Sequence, residues 1–244
     1  MKNRKDSSRN KCKKPRECGV FYWLKVEEMI RKMYDDPKMT NEQKVEEVYK
    51  RLKKIYPHPR TALDFNDAYQ LLIATILSAQ CTDKLVNTVT PALFNKYKSP
   101  SELAKAPVEE IDEYIKKVTF HGNKAKNIKA AAEMIVQKHN GKVPENMVDL
   151  DALPGVARKT ANVVLGDAFR KSEGIVVDTH VIRAVGRLGL SKHTDPEKIE
   201  KDLMSIVPKE WWIEFPHLLI LYGREYAPAR PKTGVIDILS DLYV

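Results

Sequence analysis

Two stretches of this sequence carry side chains whose types and spacing could do chemistry. One reads Leu153-Pro154-Gly155-Val156-Ala157-Arg158-Lys159-Thr160-Ala161-Asn162, the other Ile175-Val176-Val177-Asp178-Thr179-His180-Val181-Ile182-Arg183. In the first, a helix is predicted to end near Leu153, Pro154-Gly155 makes a tight turn, and an Ala/Val/Leu-rich helix follows at once. Gly155 can take a backbone conformation closed to other residues and lets a ligand approach the main chain. The opening N–H groups of the next helix lack intrahelical partners and, together with the helix dipole, favour an anion. Such a corner can hold one DNA phosphate without reading base sequence. In the second stretch, Asp178 stands between an apolar run and a new helix, the place of an N-cap whose carboxylate accepts free backbone N–H groups. Those bonds favour the charged carboxylate, so capping does not compete with stabilising positive charge that develops nearby. Lys159 taken alone is most simply a surface lysine beside phosphate. A rival carboxylate, Asp167, shares the predicted helix with Lys159; eight residues along that helix span ~12 Å, too far for a direct partner.

The elements that must position these residues read as helices throughout. Val26, Met29, Ile30 and Met33 repeat at helical spacing, and Thr40 with Gln43 forms a capping box ahead of Val45, Val48, Tyr49 and Leu52. Pro57-His58-Pro59 interrupts the chain. A helix apolar nearly all round runs from about Asp67 to Ser78, the pattern of a central core helix. Ser99-Pro100-Ser101-Glu102 combines an N-cap, a proline at the first helical position and a capping glutamate. Pro107 opens a helix with Ile111, Tyr114, Ile115 and Val118 on one side; residues 119–122 are expected to form a short connection, and the next helix closes at Asn140-Gly141. No stretch alternates at period two and no solenoid-type repeat is present, so the fold class is all-α.

Composition narrows the function classes. The chain has 244 residues and a formal net charge of +9, an excess that suits a polyanionic partner. Its three cysteines, Cys12, Cys18 and Cys81, exclude a disulfide framework and suit a reducing compartment. Cys12 and Cys18 have no matching second pair, so no metal site is expected. The N-terminal residues are basic without an apolar signal core, and the most apolar run, 71–77, is too short to span a bilayer. A soluble intracellular protein with no membrane partner is the expectation. Residues 1–19 read as a solvated basic tail, with non-specific phosphate binding as the sharper alternative.

With these motifs the chain resembles the helix-hairpin-helix DNA glycosylases, specifically the endonuclease III branch. The resemblance rests on Leu153-Pro154-Gly155-Val156-Ala157-Arg158-Lys159-Thr160-Ala161-Asn162 as the hairpin and on Val177-Asp178-Thr179-His180 as the second signature. It covers about 63–243, and 20–60 loosely. The family usually has glycine where this chain has Ala157. The resemblance implies a six-helix barrel over 61–171 carrying the hairpin, a second helical domain assembled from 20–60 and 172–244, and a DNA-binding cleft between the two helical domains.

The resemblance also implies roles. Lys159 would attack C1′ of a damaged nucleotide, displace the base and form a Schiff base, after which the strand breaks by β-elimination. Only a neutral amine attacks, so the site must disfavour the ammonium or supply a base. Asp178 would be the essential aspartate. Gly155, Val156, Ala157, Arg158, Thr160 and His180 would contact DNA. A base in a duplex must be extruded before chemistry; Gln80, in Ser78-Ala79-Gln80-Cys81-Thr82-Asp83, would fill the vacated space, and Phe120 with His121, where the family often has tyrosine, would form the opposing wedge. Most relatives end in four cysteines holding an iron–sulfur cluster. This chain carries Ala227, Gly234, Asp237 and Tyr243 at those spacings, so no cofactor is expected, and Val235, Ile236, Ile238, Leu239 and Leu242 are expected to pack the tail instead. Trp211, Trp212 and Phe215 read as core or interface residues.

The expected activity is therefore that of a bifunctional DNA glycosylase and AP lyase of base-excision repair. It would act as a monomer on double-stranded DNA bearing an oxidised pyrimidine or an abasic site. A mismatch, uracil, pyrimidine-dimer or oxidised-purine glycosylase of the same fold stays open, as does a non-catalytic helix-hairpin-helix DNA-binding module.

Overall fold

The computed structural model describes residues 39–228 and 237–243. Residues Met1–Thr40 form a unit of their own and Asn41–Val244 the other. The basic tail and the helix expected around Val26 to Met33 lie outside the described residues.

Described residues of the second unit are helical, with no strand among them. Helix α1 (Asn41–Ile55) buries Val45, Val48 and Leu52 on one stripe. α2 (Ala68–Ser78) begins where Asp67 accepts a hydrogen bond from the Gln70 N–H, and every residue from Leu71 to Leu77 is buried. That is the central helix the all-round apolar pattern predicts. α3 (Asp83–Lys96) is capped by Thr82. α4 (Pro100–Lys105) is capped by Ser99 Oγ on the Glu102 N–H, while the Glu102 carboxylate reaches back one residue further than a standard capping box, to the Lys98 N–H.

α5 (Val108–Ile115) follows Pro107, and α6 (His121–Lys138) follows a tight turn at Phe120. The expected connection over 119–122 is therefore displaced: His121 and Gly122 already belong to α6. Phe120 makes this possible by taking a left-handed conformation, φ 56°. α7 (Met147–Asp151) is capped by Asn146, and α8 (Arg158–Phe169) comes after the Pro154-Gly155 turn. α9 (Thr179–Leu188), α10 (Pro196–Ile206) and α11 (Glu214–Glu225) complete the main helices, with short 3-10 turns at Lys209–Trp211 and Ser240–Leu242.

Two separate hydrophobic clusters organise these helices. One draws its buried residues from Leu63 to Leu165 and centres on α2, against which α8 packs. The other takes Val45, Val48 and Leu52 from α1 and then Ile175 to Leu242, centred on the α9–α11 contact. Charge pairs join the two: Arg158 on α8 with Glu200 on α10, Asp167 on α8 with His217 on α11, and Asp83 on α3 with Arg224 on α11. No described helix is long and apolar enough to cross a membrane.

Candidate active site

The hairpin is built from local geometry. Leu153 N–H bonds to Leu150 O and Val156 N–H to Leu153 O, both at 3.1 Å, closing the turn between α7 and α8. Gly155 has φ +79°, and a side chain there would meet Asn127 at 3.0 Å and Ile76 at 3.2 Å, so the turn needs glycine twice over. Val156 is buried, so its side chain anchors the turn and can contact DNA only through its main chain. Ala157 has φ −117° and ψ 167°, ordinary extended backbone, which explains how alanine replaces glycine without strain. It also offers no capping side chain, leaving the first amides of α8 available to an incoming acceptor.

Asp178 caps α9 as expected, accepting from His180 N–H at 2.8 Å and Val181 N–H at 2.9 Å. Both bonds go to Oδ1, which keeps Oδ2 out of the capping pair. A cavity of about 220 Å³ opens between the two clusters, and Lys159, Thr160, Asp178 and Gln80 all line it. Lys159 sits in the exposed first turn of α8, on the wall of one cluster; Asp178 belongs to the wall of the other.

Of the remaining candidates only Gln80 lines this cavity; Phe120, His121, His180 and Arg158 are not among its lining residues. Gln80 ends the turn after α2 in a left-handed conformation, φ 53°. Phe120 is 60% exposed at the start of α6. His121 Nδ1 lies 2.6 Å from Asp112 Oδ1, which ties the ring to α5. His180 lines an adjoining groove with Cys81, Asp83 and Arg224, and its Cβ sits where Gly223 leaves room: a Cβ on Gly223 would come within 2.9 Å. Arg158 donates through Nε and Nη2 to both oxygens of Glu200 at 2.9 Å, and this bidentate pair raises the Arg158 pKa. Its guanidinium is thus engaged with α10. Asp167 is committed elsewhere too, with His217 Nε2 at 3.0 Å from its Oδ2 and the Thr61 N–H on Oδ1.

Residues 73–209 match the HhH-GPD superfamily base excision DNA repair protein family. The chain belongs to this family. It is 48% identical to the endonuclease III of Synechocystis sp. over 202 residues, covering 83% of this chain and 90% of that protein. A solved non-covalent endonuclease III–DNA complex superposes with a TM-score of 0.78 at 40% identity, over 84% of this chain and 96% of that one. A trapped endonuclease III–DNA covalent intermediate gives 0.76 at 40% identity, over 82% and 95%. The all-α fold is that of the HhH-GPD glycosylases.

Within this family fold, several cavity residues escape a reading of the sequence. Arg60, Thr75, Asp83, His217 and Arg224 also line the cavity. Arg224 and Asp83 pair at 2.7 Å although 141 residues apart. Buried lysine and glutamate had a faint signal: Lys124 and Glu200 interrupt apolar stripes, Ala125-Ile128-Ala131-Ala132 and Ile199-Leu203 respectively.

The C-terminal segment departs from the four-thiolate pattern. Ala227 is buried, and Gly234 lies outside the described residues. Asp237 and Tyr243 engage Tyr222: its hydroxyl donates to Asp237 Oδ1 at 2.7 Å and lies 2.5 Å from the Tyr243 hydroxyl, which in turn donates to Asp237 Oδ2. Burial, followed by these hydroxyl and carboxylate neighbours, pushes the Tyr222 pKa far up. Such donors do not fit an iron–sulfur cluster, which takes thiolates. Leu239 and Leu242 are buried and Ile238 partly so, as expected; Val235 and Ile236 lie outside the described residues. The polar knot under them was not anticipated. Trp211 stacks on Tyr49 at 4.1 Å between ring centroids, Trp212 Nε1 donates to Val207 O, and Phe215 is fully buried.

Proposed function

We infer that this chain is a bifunctional DNA glycosylase and AP lyase of base-excision repair, with Lys159 as nucleophile and Asp178 as its essential carboxylate. It acts on DNA. The observation that carries the assignment of roles is the shared cavity: an amine from one cluster and a carboxylate from the other meet at a space of about 220 Å³. That space is below the ~300–1,000 Å³ typical of drug-sized ligands and suits a single extruded nucleotide.

The chemistry follows from those positions. The neutral Lys159 Nζ forms a bond to C1′ as the glycosidic C–N bond breaks, and the base leaves with the bonding electrons and takes a proton. Asp178, held at the α9 N-terminus, sets its carboxylate beside the positive charge that develops at C1′. Opening of the sugar ring leaves a protonated Schiff base between Nζ and C1′. Loss of a C2′ proton then expels the 3′ phosphate and breaks the strand. The first amides of α8 hold a backbone phosphate beside the cavity, and Thr160 lines its wall. Gln80 enters the space the nucleotide leaves, and Phe120 with His121 faces it from the other side.

The finer assignment is an oxidised or ring-saturated pyrimidine as the base, a monomer as the working form, and a place in the cell with the DNA. The domain reading divides the chain into a barrel over 61–171 and a partner domain from 20–60 and 172–244, which the segregation of the two hydrophobic clusters supports. The tail works without an iron–sulfur cluster, held by Asp237 and Tyr243.

Borohydride trapping tests the core of this reading. The full chain should form a covalent adduct with abasic or thymine-glycol duplex in EDTA, and Lys159→Ala should form none. Release of uracil or a mismatched base with neither adduct nor strand break points to a monofunctional mismatch or uracil enzyme; absence of base release, adduct and strand break points to a non-catalytic module. A panel of duplexes containing thymine glycol, dihydrouracil, uracil, 8-oxoguanine and an abasic site ranks the bases.

A further inference from the structure

Lys124 is 6% exposed, in the first turn of α6. Its neighbours on that helix face are Ala125, Ile128, Ala131, Ala132 and Ile135, all buried. An apolar side chain would continue this stripe at no cost of desolvation, whereas a buried ammonium is unfavourable unless its donors are used. Two of them are. Nζ donates to Leu77 O at 2.8 Å and to Ala79 O at 2.6 Å, carbonyls at the C-terminal end of α2 where a helix leaves its acceptors unpaired and its dipole favours a cation. Burial lowers the Lys124 pKa, with a smaller opposing contribution from Cys81.

What these bonds hold is specific. Ala79 is followed directly by Gln80, at φ 53°. The main-chain N–H of the same Lys124 bonds to Phe120 O at 3.1 Å, and Phe120 is at φ 56°. Gln80 and Phe120 are both non-glycine residues in left-handed conformations, both exposed, and both lie one bonded step from Lys124. Non-glycine residues held in that region persist only where the surroundings over-determine them, and they concentrate at functional sites.

We propose that Lys124 is a positioning residue that sets the separation between Gln80 and Phe120, so that the two enter the duplex as one rigid pair when a nucleotide is extruded. This rests on the reading above in which Gln80 fills the gap and Phe120 is the wedge. Lys124 is buried and is not among the residues lining the cavity, so it acts through its neighbours. Its effect is on the extruded state of the substrate, and the chemistry at Lys159 follows unaltered once that state is reached.

The test uses the full chain and a duplex in which 2-aminopurine stands opposite a tetrahydrofuran abasic analogue, whose fluorescence rises when the local stack opens. The wild-type protein should raise it. Lys124→Met should cut the rise to below about half, and on a cleavable abasic duplex should raise KM about tenfold with kcat within about twofold, the pattern of lost binding in the extruded state. Lys124→Gln, which retains N–H donors on a shorter arm, should recover part of the rise; thermal melting of both variants identifies any that fail to fold, and the other then carries the comparison. Gln80→Ala is run in parallel. If Gln80→Ala loses the rise while folded Lys124→Met keeps the wild-type rise and KM, the positioning role is wrong and the gap-filling reading stands. If Gln80→Ala keeps the rise, the gap-filling reading itself is wrong and the proposal goes with it. A fall in kcat as large as the change in KM in both Lys124 variants also overturns it, because that marks general damage to the cavity.

Discussion

The two halves of the cavity wall are built by different means. The cluster behind Lys159 is drawn from one continuous stretch, Leu63 to Leu165, and centres on α2, whose residues 71–77 are all buried. The cluster behind Asp178 is assembled from distant pieces, and polar ties reach across it. Tyr49 Oη and Lys53 Nζ both donate to Glu214 Oε2, Arg51 donates to Ile238 O and Asp241, Lys44 donates to Leu188 O, and Tyr222 joins Asp237 and Tyr243. A segment continuous in sequence closes short loops and can rely on area burial. A discontinuous one must hold long-range pieces in register, and directional bonds do that where area alone would permit sliding. Lys159 therefore stands on the side whose core is one continuous stretch, and Asp178 on the side where polar bonds tie distant pieces together.

Substitutions can break this contrast, beginning with the largest effect. Leu72→Ala in the fully buried centre of α2 should cost about 2–5 kcal/mol in urea unfolding, and should do so equally in low and high salt. A loss much below 2 kcal/mol would mean that burial does not dominate this half. Gly174→Ala probes the seam. Its Cβ would fall 1.9 Å from Glu200 Oε1 and 2.8 Å from Asn162 Nδ2, so Glu200 must shift off Arg158. We expect about 1–3 kcal/mol of destabilisation together with weaker duplex cleavage; unchanged cleavage would show that the Arg158–Glu200 pair does not position α8.

Asp237→Ala removes the acceptor shared by Tyr222 and Tyr243. It should cost about 1–2 kcal/mol in thermal or urea unfolding. If the loss is negligible, apolar packing of Leu239 and Leu242 holds the tail without the knot.

The smallest effect is in pH. Burial works against the charge on Glu214, but the bonds from Lys53 and Tyr49 outweigh it and its pKa is lowered; burial first, and then the bond to Glu214, push the Tyr49 hydroxyl up to about 12. A carboxylate with a depressed folded-state pKa stabilises above its unfolded value, about 4.3, and loses that contribution as pH falls through the lower folded value. The stability difference between wild type and Glu214→Gln should thus be full at pH 6, at most about 1 kcal/mol for so exposed a pair, and should shrink below about pH 4. A difference that grows on acidification would reverse the assignment.

Local information was enough for the all-α class, for helices such as α2 and α4, and for the two motifs around the cavity. Ser99 and Asp178 cap their helices as the sequence predicts, because capping depends on a few neighbouring residues; Asp67, Thr82 and Asn146 cap theirs too, which the expectations from sequence do not include. The turn at Gly155 is likewise set by backbone geometry within the hairpin. The left-handed turn that starts α6 at His121 was missed, since Phe120 gives no local sign of positive φ and is held by its surroundings.

What the amino-acid order settled by itself is the all-α class, the hairpin with its lysine, and an aspartate at a helix start, all products of periodicity and short-range hydrogen bonding. What tertiary structure alone decided is which distant side chains meet. Arg224 finds Asp83 at a separation of 141 residues, His217 finds Asp167 at 50, Lys124 finds Leu77 at 47, and Glu200 finds Arg158 at 42. Those partners carry no mutual signal along the chain, because a charge acquires its partner only once separate helices pack, within one core for Lys124 and between the two cores for the other three.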